Sequence, residues 1–144
     1  MITPDQMAQI HARAFAGQGR AWRAAEFAAL IESPHVIVAG DARAFGLSRV
    51  IADEAELLTL GVDPAHRRAG NASRVLDALE ASVQTRGARR QFLEVAEDNV
   101  AARALYAGRG YAETALRAAY YAAPDASRMD ALIMTKVFTP TQTP

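Results

Sequence analysis

The spacing of apolar residues divides the chain into segments with helical period and segments typical of strands. Two helices are predicted first, the first of them with Thr3 as N-cap and Pro4 at its first position, and a break at residues 17–20 separates them. β-branched and apolar runs between turns then predict strands, and two further helices alternate with these. The predicted helices are residues 4–15, 22–31, 73–86 and 100–107, and the predicted strands are residues 35–39, 43–51, 56–62, 91–96, 111–117 and 131–138. This order predicts an α/β domain with a mixed sheet and helices on both faces.

The composition limits the classes of protein and of site. With 144 residues and 15.5 kDa, we expect a single domain over residues 1–138, followed by a disordered tail at residues 139–144. The 16 basic and 16 acidic residues balance, so no global field favours a nucleic acid or a membrane as partner. The chain has no cysteine, which excludes disulfides, thiolate catalysis and cysteine-based metal sites. No apolar run reaches the roughly 18 residues of a membrane span, and we expect a cytoplasmic protein.

The segment V-D-P-A-H-R-R-A-G-N-A at residues 62–72 joins a predicted strand to a predicted helix. Such a turn presents unpaired backbone N–H groups at the positive end of the helix dipole, where phosphate oxygens bind. Gly70 and the small Ala72 let the backbone approach a phosphate, while Arg67 and Arg68 add positive charge. The spacing matches neither a P-loop nor a dinucleotide-binding fingerprint. The segment is therefore a candidate pyrophosphate site, with an ordinary turn and solvated arginines as the alternative.

Two titratable side chains are candidates for acid and base chemistry. Glu94 is at the centre of the apolar strand 92–96, where burial would raise the pKa of its carboxyl from roughly 4.3 toward that of a general base. Exposure at a sheet edge or an ion pair with an arginine is the alternative. Tyr106 shares an inward helix face with Ala102 and Leu105, and its phenol could donate a proton to a leaving group. A core tyrosine with a solvated hydroxyl is the alternative there.

Several short motifs follow one another in the second half of the chain. They are D-E-A-E-L-L-T-L-G-V-D-P at residues 53–64, R-R-A-G-N-A at 67–72, L-E-V at 93–95, N-x-x-A-x-x-L-Y at 99–106 with G-Y at 110–111, Y-Y at 120–121 and D-A-L-I-M at 130–134. In order and spacing they resemble the GNAT N-acetyltransferase superfamily, and among its branches the bacterial enzymes that acetylate the N-terminal alanine of a ribosomal protein. The resemblance is good from about residue 53 to residue 138 and loose before that. It implies the GNAT fold, an α/β architecture with a mixed, mostly antiparallel central sheet.

The resemblance also implies roles for individual residues. Acetyl-CoA is the expected co-substrate, and no metal is expected. Its pantetheine and pyrophosphate would contact backbone or side-chain groups of Leu60, Gly61, Val62, Arg68, Ala69, Gly70, Asn71, Ala72, Ser73 and Asn99. Glu94 would be the general base that deprotonates an amine before it attacks the thioester, and Tyr106 the general acid that protonates the CoA thiolate. A backbone N–H of residues 60–62 would stabilise the tetrahedral oxyanion.

The acceptor amine is the least specific part of the resemblance. Trp22, Tyr120 and Tyr121, with the loop up to Asp130, are the candidate walls of an acceptor groove, although the two tyrosines could instead cap the sheet. Residues 17–23 lack the P-W-S helix start common in relatives, while Ala69 removes an arginine and Asn71 replaces an apolar residue, which leaves open a weaker hold on CoA. Three functions stay open: acetylation of a protein or peptide N-terminus, acetylation of a small amine, and a non-catalytic CoA-binding or partner-binding module. The oligomeric state is not predicted.

Overall fold

The computed structural model of the protein describes residues 1–15, 22–122 and 128–138, and for residues 117–122, 128 and 129 it describes the backbone alone. The predicted break at residues 17–20 and the predicted tail at residues 139–144 lie outside this description. The helices are α1 (Pro4–Ala14), α2 (Ala24–Glu32), α3 (Asn71–Thr85) and α4 (Val100–Gly108), and a single 3₁₀ turn spans Pro64–His66. The strands are β1 (Val36–Gly40), β2 (Ala44–Ile51), β3 (Glu54–Val62), β4 (Arg90–Ala96), β5 (Ala112–Ala122) and β6 (Arg128–Val137).

The first helix begins where the sequence predicts it. Thr3 Oγ1 accepts a hydrogen bond from the Gln6 backbone N–H at 3.2 Å, and the Gln6 side chain accepts one from the Thr3 N–H at 2.9 Å. This capping box satisfies two N–H groups that a helix start leaves without partners, and Pro4 gives up no hydrogen bond at the first helical position.

The six strands form one mixed sheet in the order β1-β2-β3-β4-β6-β5. All neighbouring strands are antiparallel except β3 and β4, which are parallel and are connected through α3. A parallel pair needs such a crossover connection, because the chain must return to the same end of the sheet. The predicted mixed, mostly antiparallel sheet is confirmed.

Two apolar clusters cover the two faces of the sheet. On one face, which we call the α3/α4 face, the buried stripe of α3 packs with Leu93, Val95 and Tyr106. On the opposite α1/α2 face, Met7, Ile10 and Phe27 pack against Val36, Phe45 and Leu47. Helices therefore lie on both faces, as predicted. The α3 stripe consists of Val75, Leu76, Leu79 and Val83, each at most 1% exposed.

A chain of buried polar side chains runs through the α3/α4 face. Ser48 Oγ donates to Gln91 Oε1 at 2.7 Å, and Gln91 Nε2 donates to Tyr111 Oη at 2.8 Å. Tyr111 Oη donates to one Glu80 oxygen at 3.0 Å, and Lys136 Nζ donates to the other at 2.6 Å. Buried polar groups cost free energy unless they are paired, so these bonds fix how α3, β4 and β6 stack.

The structure corrects several predicted boundaries. β5 extends to Ala122, so Tyr120 and Tyr121 are strand residues and not part of a loop up to Asp130, and β6 starts at Arg128. The third helix starts at Asn71 rather than at Ser73. α2 starts at Ala24, which leaves Trp22 before the helix. Within the described ranges, no helix is long and apolar enough to cross a membrane.

Candidate active site

The parallel strands β3 and β4 separate after a short paired region. Their residues pair at Glu54 with Arg90, Ala55 with Gln91 and Glu56 with Phe92. The pairing recorded between these two strands ends there, although β3 continues to Val62 and β4 to Ala96. The sheet is therefore open between residues 57–62 and residues 93–96, and we call this opening the β3/β4 gap.

A β-bulge lies where β3 leaves β4. β2 and β3 pair at Leu47 with Thr59 and at Ser48 with Leu57, so Leu58 is an extra residue in β3. A bulge bends its strand and increases the local twist, which directs the end of β3 away from β4. Residues 60–62, predicted to contact pantetheine, follow the bulge and border the gap.

A tight loop with two left-handed residues connects β3 to α3. Asp63 caps the 3₁₀ turn by accepting a hydrogen bond from the Ala65 N–H at 3.0 Å. Arg68 has a φ of 64° and Gly70, the N-cap of α3, has a φ of 76°. A Cβ on Gly70 would meet no atom of the described residues within 4 Å apart from its chain neighbours, so the backbone angle, and not a lack of space, calls for glycine. Where the sign of φ alternates from residue to residue in this way, successive backbone N–H groups form a concave nest that binds anions.

The loop is positively charged and exposed. Arg67 and Arg68 are both exposed, and neither forms an ion pair with any residue in the described part of the chain. Ala69 is exposed between them and Gly70, while Ala72 and Ser73 lie half-buried in the first turn of α3. The first N–H groups of a helix have no partner within it, and here they lie beside the left-handed turn. We call residues 63–70 the basic loop; it leads directly into the 15-residue helix α3, and the predicted pyrophosphate residues 68–73 span the end of the loop and the first turn of the helix.

Glu94 faces the opposite side of the sheet from the α3/α4 cluster. Side chains alternate along a strand, and the neighbours Leu93 and Val95 are buried in the α3/α4 cluster. Glu94 therefore projects on the α1/α2 face, where it is half-buried. The sequence placed Glu94 in an apolar strand where it would be buried, and the structure encloses fully only the side of β4 that carries Leu93 and Val95. β4 is nevertheless an interior strand, so the alternative of an edge position is wrong.

Tyr106 lies on the α3/α4 face. Its side chain is 8% exposed and meets the Tyr111 ring edge-on, with the ring centres 5.8 Å apart. Burial raises the pKa of the Tyr106 phenol to about 12. Its hydroxyl has no hydrogen-bond partner among residues 1–15, 22–122 and 128–138. Glu94 and Tyr106 are therefore on opposite faces of the sheet.

Asn99 is the N-cap of α4. Its side-chain oxygen accepts a hydrogen bond from the Ala102 N–H at 3.2 Å. The cap commits the amide oxygen to the helix, and the amide NH₂ group is the part left for a ligand.

The candidate acceptor residues divide between described and undescribed side chains. Trp22 is half-buried, and its backbone N–H donates to His11 Nδ1 at 3.3 Å while the two rings stack at 5.1 Å. Phe15 packs on His11 at 4.6 Å and lies near Gly61 at the end of β3. Trp22 is thereby connected to the gap on the α1/α2 face. The backbone of Tyr121 pairs with that of Met129, and the side chains of Tyr120 and Tyr121 are outside the description.

Two supporting residues were not singled out from the sequence. His11 is 6% exposed within the aromatic cluster of α1 and α2, and only its helical spacing from Met7 and Ala14 could have indicated burial. Asp63 is 8% exposed and binds Arg13 at 2.6 Å, which joins the end of α1 to the basic loop. Its position before a proline is a recognised capping signal and could have indicated the cap.

Comparisons with known proteins agree on one family and one fold. A sequence model of the Acetyltransferase (GNAT) family matches residues 6–111. The chain is similar to the ribosomal protein bS18-alanine N-acetyltransferase of Haemophilus ducreyi, with 41% identity over 91 residues that cover 63% of each protein. It is 39% identical over 95 residues to the enzyme of the same name from Escherichia coli K12, covering 66% of this chain and 64% of the relative. The matched part is thus under two thirds of the length of either relative.

Solved structures extend the similarity over nearly the whole chain. The crystal structure of the ribosomal-protein-S18-alanine N-acetyltransferase from Escherichia coli superposes with a TM-score of 0.81 and 29% identity, covering 97% of this chain and 92% of that one. The crystal structure of Ard1 from Thermoplasma volcanium gives a TM-score of 0.78 at 24% identity, which supports the fold alone.

Proposed function

Because the chain belongs to the acetyltransferase (GNAT) family, we propose that it transfers the acetyl group of acetyl-CoA to the N-terminal α-amino group of a protein or peptide. The observation that carries this proposal is the β3/β4 gap, which has a basic, N–H-rich loop at its end and a glutamate on the face opposite the candidate acid. Such a gap allows two substrates to meet from opposite faces of the sheet.

CoA binds on the α3/α4 face in this proposal. The pyrophosphate lies on the N–H groups of residues 68–73, with Arg67 and Arg68 adding charge. The pantetheine arm runs along Leu60, Gly61 and Val62, whose backbone has no β4 partner, and passes the amide of Asn99. An extended arm that completes the open edge of β3 satisfies backbone groups that the sheet leaves unpaired.

The acceptor approaches on the α1/α2 face. Glu94 projects there, and the aromatic cluster of Trp22, His11 and Phe15 lies at the end of β3 on the same face. In this proposal Tyr120 and Tyr121 of β5 are assigned to the second wall of an acceptor groove. An open groove between two such walls would suit a peptide N-terminus.

The proposed reaction needs one base and one acid. An α-amino group has a pKa of roughly 7.7–8.0, so most of it is protonated at neutral pH and cannot attack. Glu94 removes that proton, directly or through a water molecule, and passes it to solvent. The neutral amine nitrogen then bonds to the thioester carbonyl carbon and becomes cationic, and Glu94 takes its second proton as the amide forms. A backbone N–H of residues 60–62 donates to the oxyanion. When the C–S bond breaks, Tyr106 gives its proton to the CoA sulfur, and a proton from solvent restores the phenol.

The raised pKa of Tyr106 fits the role of the acid. A pKa of about 12 keeps the phenol protonated throughout the physiological range. Its proton must pass to a sulfur whose free thiol has a pKa of roughly 8.5, which is unfavourable in water. The burial that disfavours the phenolate also disfavours the thiolate, so the sulfur becomes a stronger base in the same surroundings. The transfer is thereby brought closer to balance.

The acceptor we propose is the N-terminal alanine of ribosomal protein bS18. This follows the names of the relatives from Haemophilus ducreyi and Escherichia coli. The similarity to the Escherichia coli crystal structure covers 97% of this chain, so it includes the segments that border the groove.

The direct test measures acetyl-CoA turnover by the purified chain with a panel of acceptors. The panel contains a peptide with the N-terminal sequence of bS18, the same peptide with a blocked N-terminus, free alanine and a polyamine. We expect rapid acetylation of the free peptide alone, with the acetyl group on the α-nitrogen by mass spectrometry. Faster turnover of alanine or the polyamine would instead establish a small-amine acetyltransferase. CoA binding without turnover of any acceptor would establish a non-catalytic module.

A further inference from the structure

The side chain of Asn71 closes the basic loop before α3. It is 6% exposed, and its Nδ2 donates to the backbone carbonyl of His66 at 3.0 Å. Its Oδ1 accepts from the Arg74 guanidinium at 3.0 Å, and Arg74 lies 3.6 Å from Asp41. One amide therefore links the first residue of the helix to the start of the loop and to the next turn of the helix.

The loop closed by Asn71 contains two residues with left-handed backbone conformations. Between His66 and Asn71 the chain passes through Arg68 and Gly70, both with positive φ. A residue with a side chain rarely adopts this conformation, so the Arg68 backbone tends to relax toward negative φ. Relaxation would turn neighbouring N–H groups away from each other and open the nest. The Asn71 bond spans the segment and opposes that change.

We propose that Asn71 is a positioning residue for the pyrophosphate of CoA, and that it holds the loop in its binding conformation before CoA arrives. This proposal rests on the proposed function, since it assumes that the loop binds CoA. From the sequence, Asn71 in place of an apolar residue suggested weaker CoA binding; the present proposal is the opposite, that Asn71 strengthens it. A loop that is already ordered loses less conformational entropy on binding, and its affinity is higher for that reason.

The experiment compares Asn71→Ala with a matched control on the same helix. Gln84→Ala removes the same type of bond, because Gln84 Nε2 donates to the Glu80 carbonyl at 3.1 Å near the other end of α3. Calorimetry measures CoA binding to each protein. We expect Asn71→Ala to weaken CoA binding by roughly 3- to 10-fold, the effect of one lost hydrogen bond, and Gln84→Ala to leave it unchanged.

A second substrate separates positioning from general damage. Acetyl-pantetheine carries the thioester and the pantetheine arm but no pyrophosphate. Asn71→Ala should therefore turn it over at the wild-type kcat/KM, while kcat/KM for acetyl-CoA falls. An equal loss with both substrates, or CoA affinity equal to wild type, would overturn the positioning role. A wild-type protein that does not bind CoA would refute the proposed function itself, and the role of Asn71 with it.

Discussion

Removing the hydroxyl of either of two neighbouring tyrosines should have different effects: one variant should lose turnover and the other should lose stability. Tyr106 and Tyr111 pack edge-on at 5.8 Å, and both are less than a tenth exposed. Their hydroxyls differ, because that of Tyr106 has no partner in the described part of the chain while that of Tyr111 bonds to Gln91 and Glu80. Removing each hydroxyl by substitution with phenylalanine changes one oxygen atom and leaves the ring packing in place.

The Tyr106→Phe variant should lose turnover and keep its stability. Loss of a general acid lowers turnover by roughly 10²- to 10⁴-fold. No hydrogen bond to a described residue is broken, so the free energy of unfolding should stay within about 0.5 kcal/mol of wild type. With a pKa of about 12, only about one phenol in a thousand is ionised at pH 9. The ratio of wild-type to variant turnover should therefore be constant between pH 6.5 and pH 9.

The Tyr111→Phe variant should behave in the opposite way. It leaves the buried Gln91 amide and Glu80 carboxylate each without one bond, at 2.8 and 3.0 Å respectively in the wild type. An unsatisfied buried polar group costs about 1–3 kcal/mol, so the variant should unfold at lower denaturant concentration. Its turnover at 25 °C should stay near wild type, because this hydroxyl lies within the polar chain of α3, β4 and β6.

The assay combines urea unfolding with steady-state turnover on the best acceptor. Tyr106 is not the general acid if Tyr106→Phe retains wild-type turnover, or if its loss of activity is matched by an equal loss of stability. A wild-type rate that declines between pH 8.5 and pH 9.5, with no such decline in Tyr106→Phe, would show that the phenol ionises near its ordinary pKa and that burial does not protect it.

Three further outcomes are expected. Glu94→Gln should lower turnover by roughly 10²- to 10⁴-fold near neutral pH and leave CoA affinity unchanged. The loss of turnover should become smaller toward pH 9, because the amine then loses its proton unaided. Wild-type turnover of Glu94→Gln at pH 7 would show that Glu94 is a structural carboxylate. Gly70→Ala should lower the free energy of unfolding by about 1–2 kcal/mol because Gly70 has a left-handed backbone. Gly70→Glu should in addition abolish measurable CoA binding. Equal CoA affinity in Gly70→Glu and wild type would contradict the assignment of this loop to the CoA pyrophosphate. Stability should fall by about 2 kcal/mol from Tyr106 as pH rises from 10 to 12, because its phenol ionises first in the unfolded chain. A smaller fall in Tyr106→Phe, measured by urea unfolding, would support this origin.

The sequence predicted the elements of this fold because their periods are strong. The third helix and the Thr3 N-cap of α1 are both present as expected, and the family inferred from the order of motifs is confirmed. The C-terminal end of β5 was not predicted, because R-A-A-Y-Y-A-A at residues 117–123 has no alternation of apolar and polar residues. Small residues carry little information about which face they occupy, so the strand was expected to stop at residue 117.

The sequence predicted candidate residues but not their faces. Whether two side chains meet depends on strand parity and on where pairing ends, and neither is marked in the sequence. The bulge at Leu58 falls within the run L-L-T-L at residues 57–60, which contains no glycine or proline to mark it. The hydrogen bond of Asn71 to His66 depends in addition on two positive φ angles, of which only the one at Gly70 could be expected from residue type.

In the proposed mechanism, the placement of the base and the acid on two faces of the sheet has a chemical advantage. A carboxylate and a phenol on one face of a narrow gap would hydrogen-bond to each other, and that bond would compete with the substrates for both groups. Here the packed strand β4 lies between them, with Glu94 on the α1/α2 face and Tyr106 on the α3/α4 face. Each group can then serve a different atom, the carboxylate the incoming nitrogen and the phenol the departing sulfur. The acetyl carbon then has only to pass from the sulfur to the nitrogen within the β3/β4 gap. The proposed chemistry therefore depends on the early end of β3–β4 pairing, at Glu56 and Phe92.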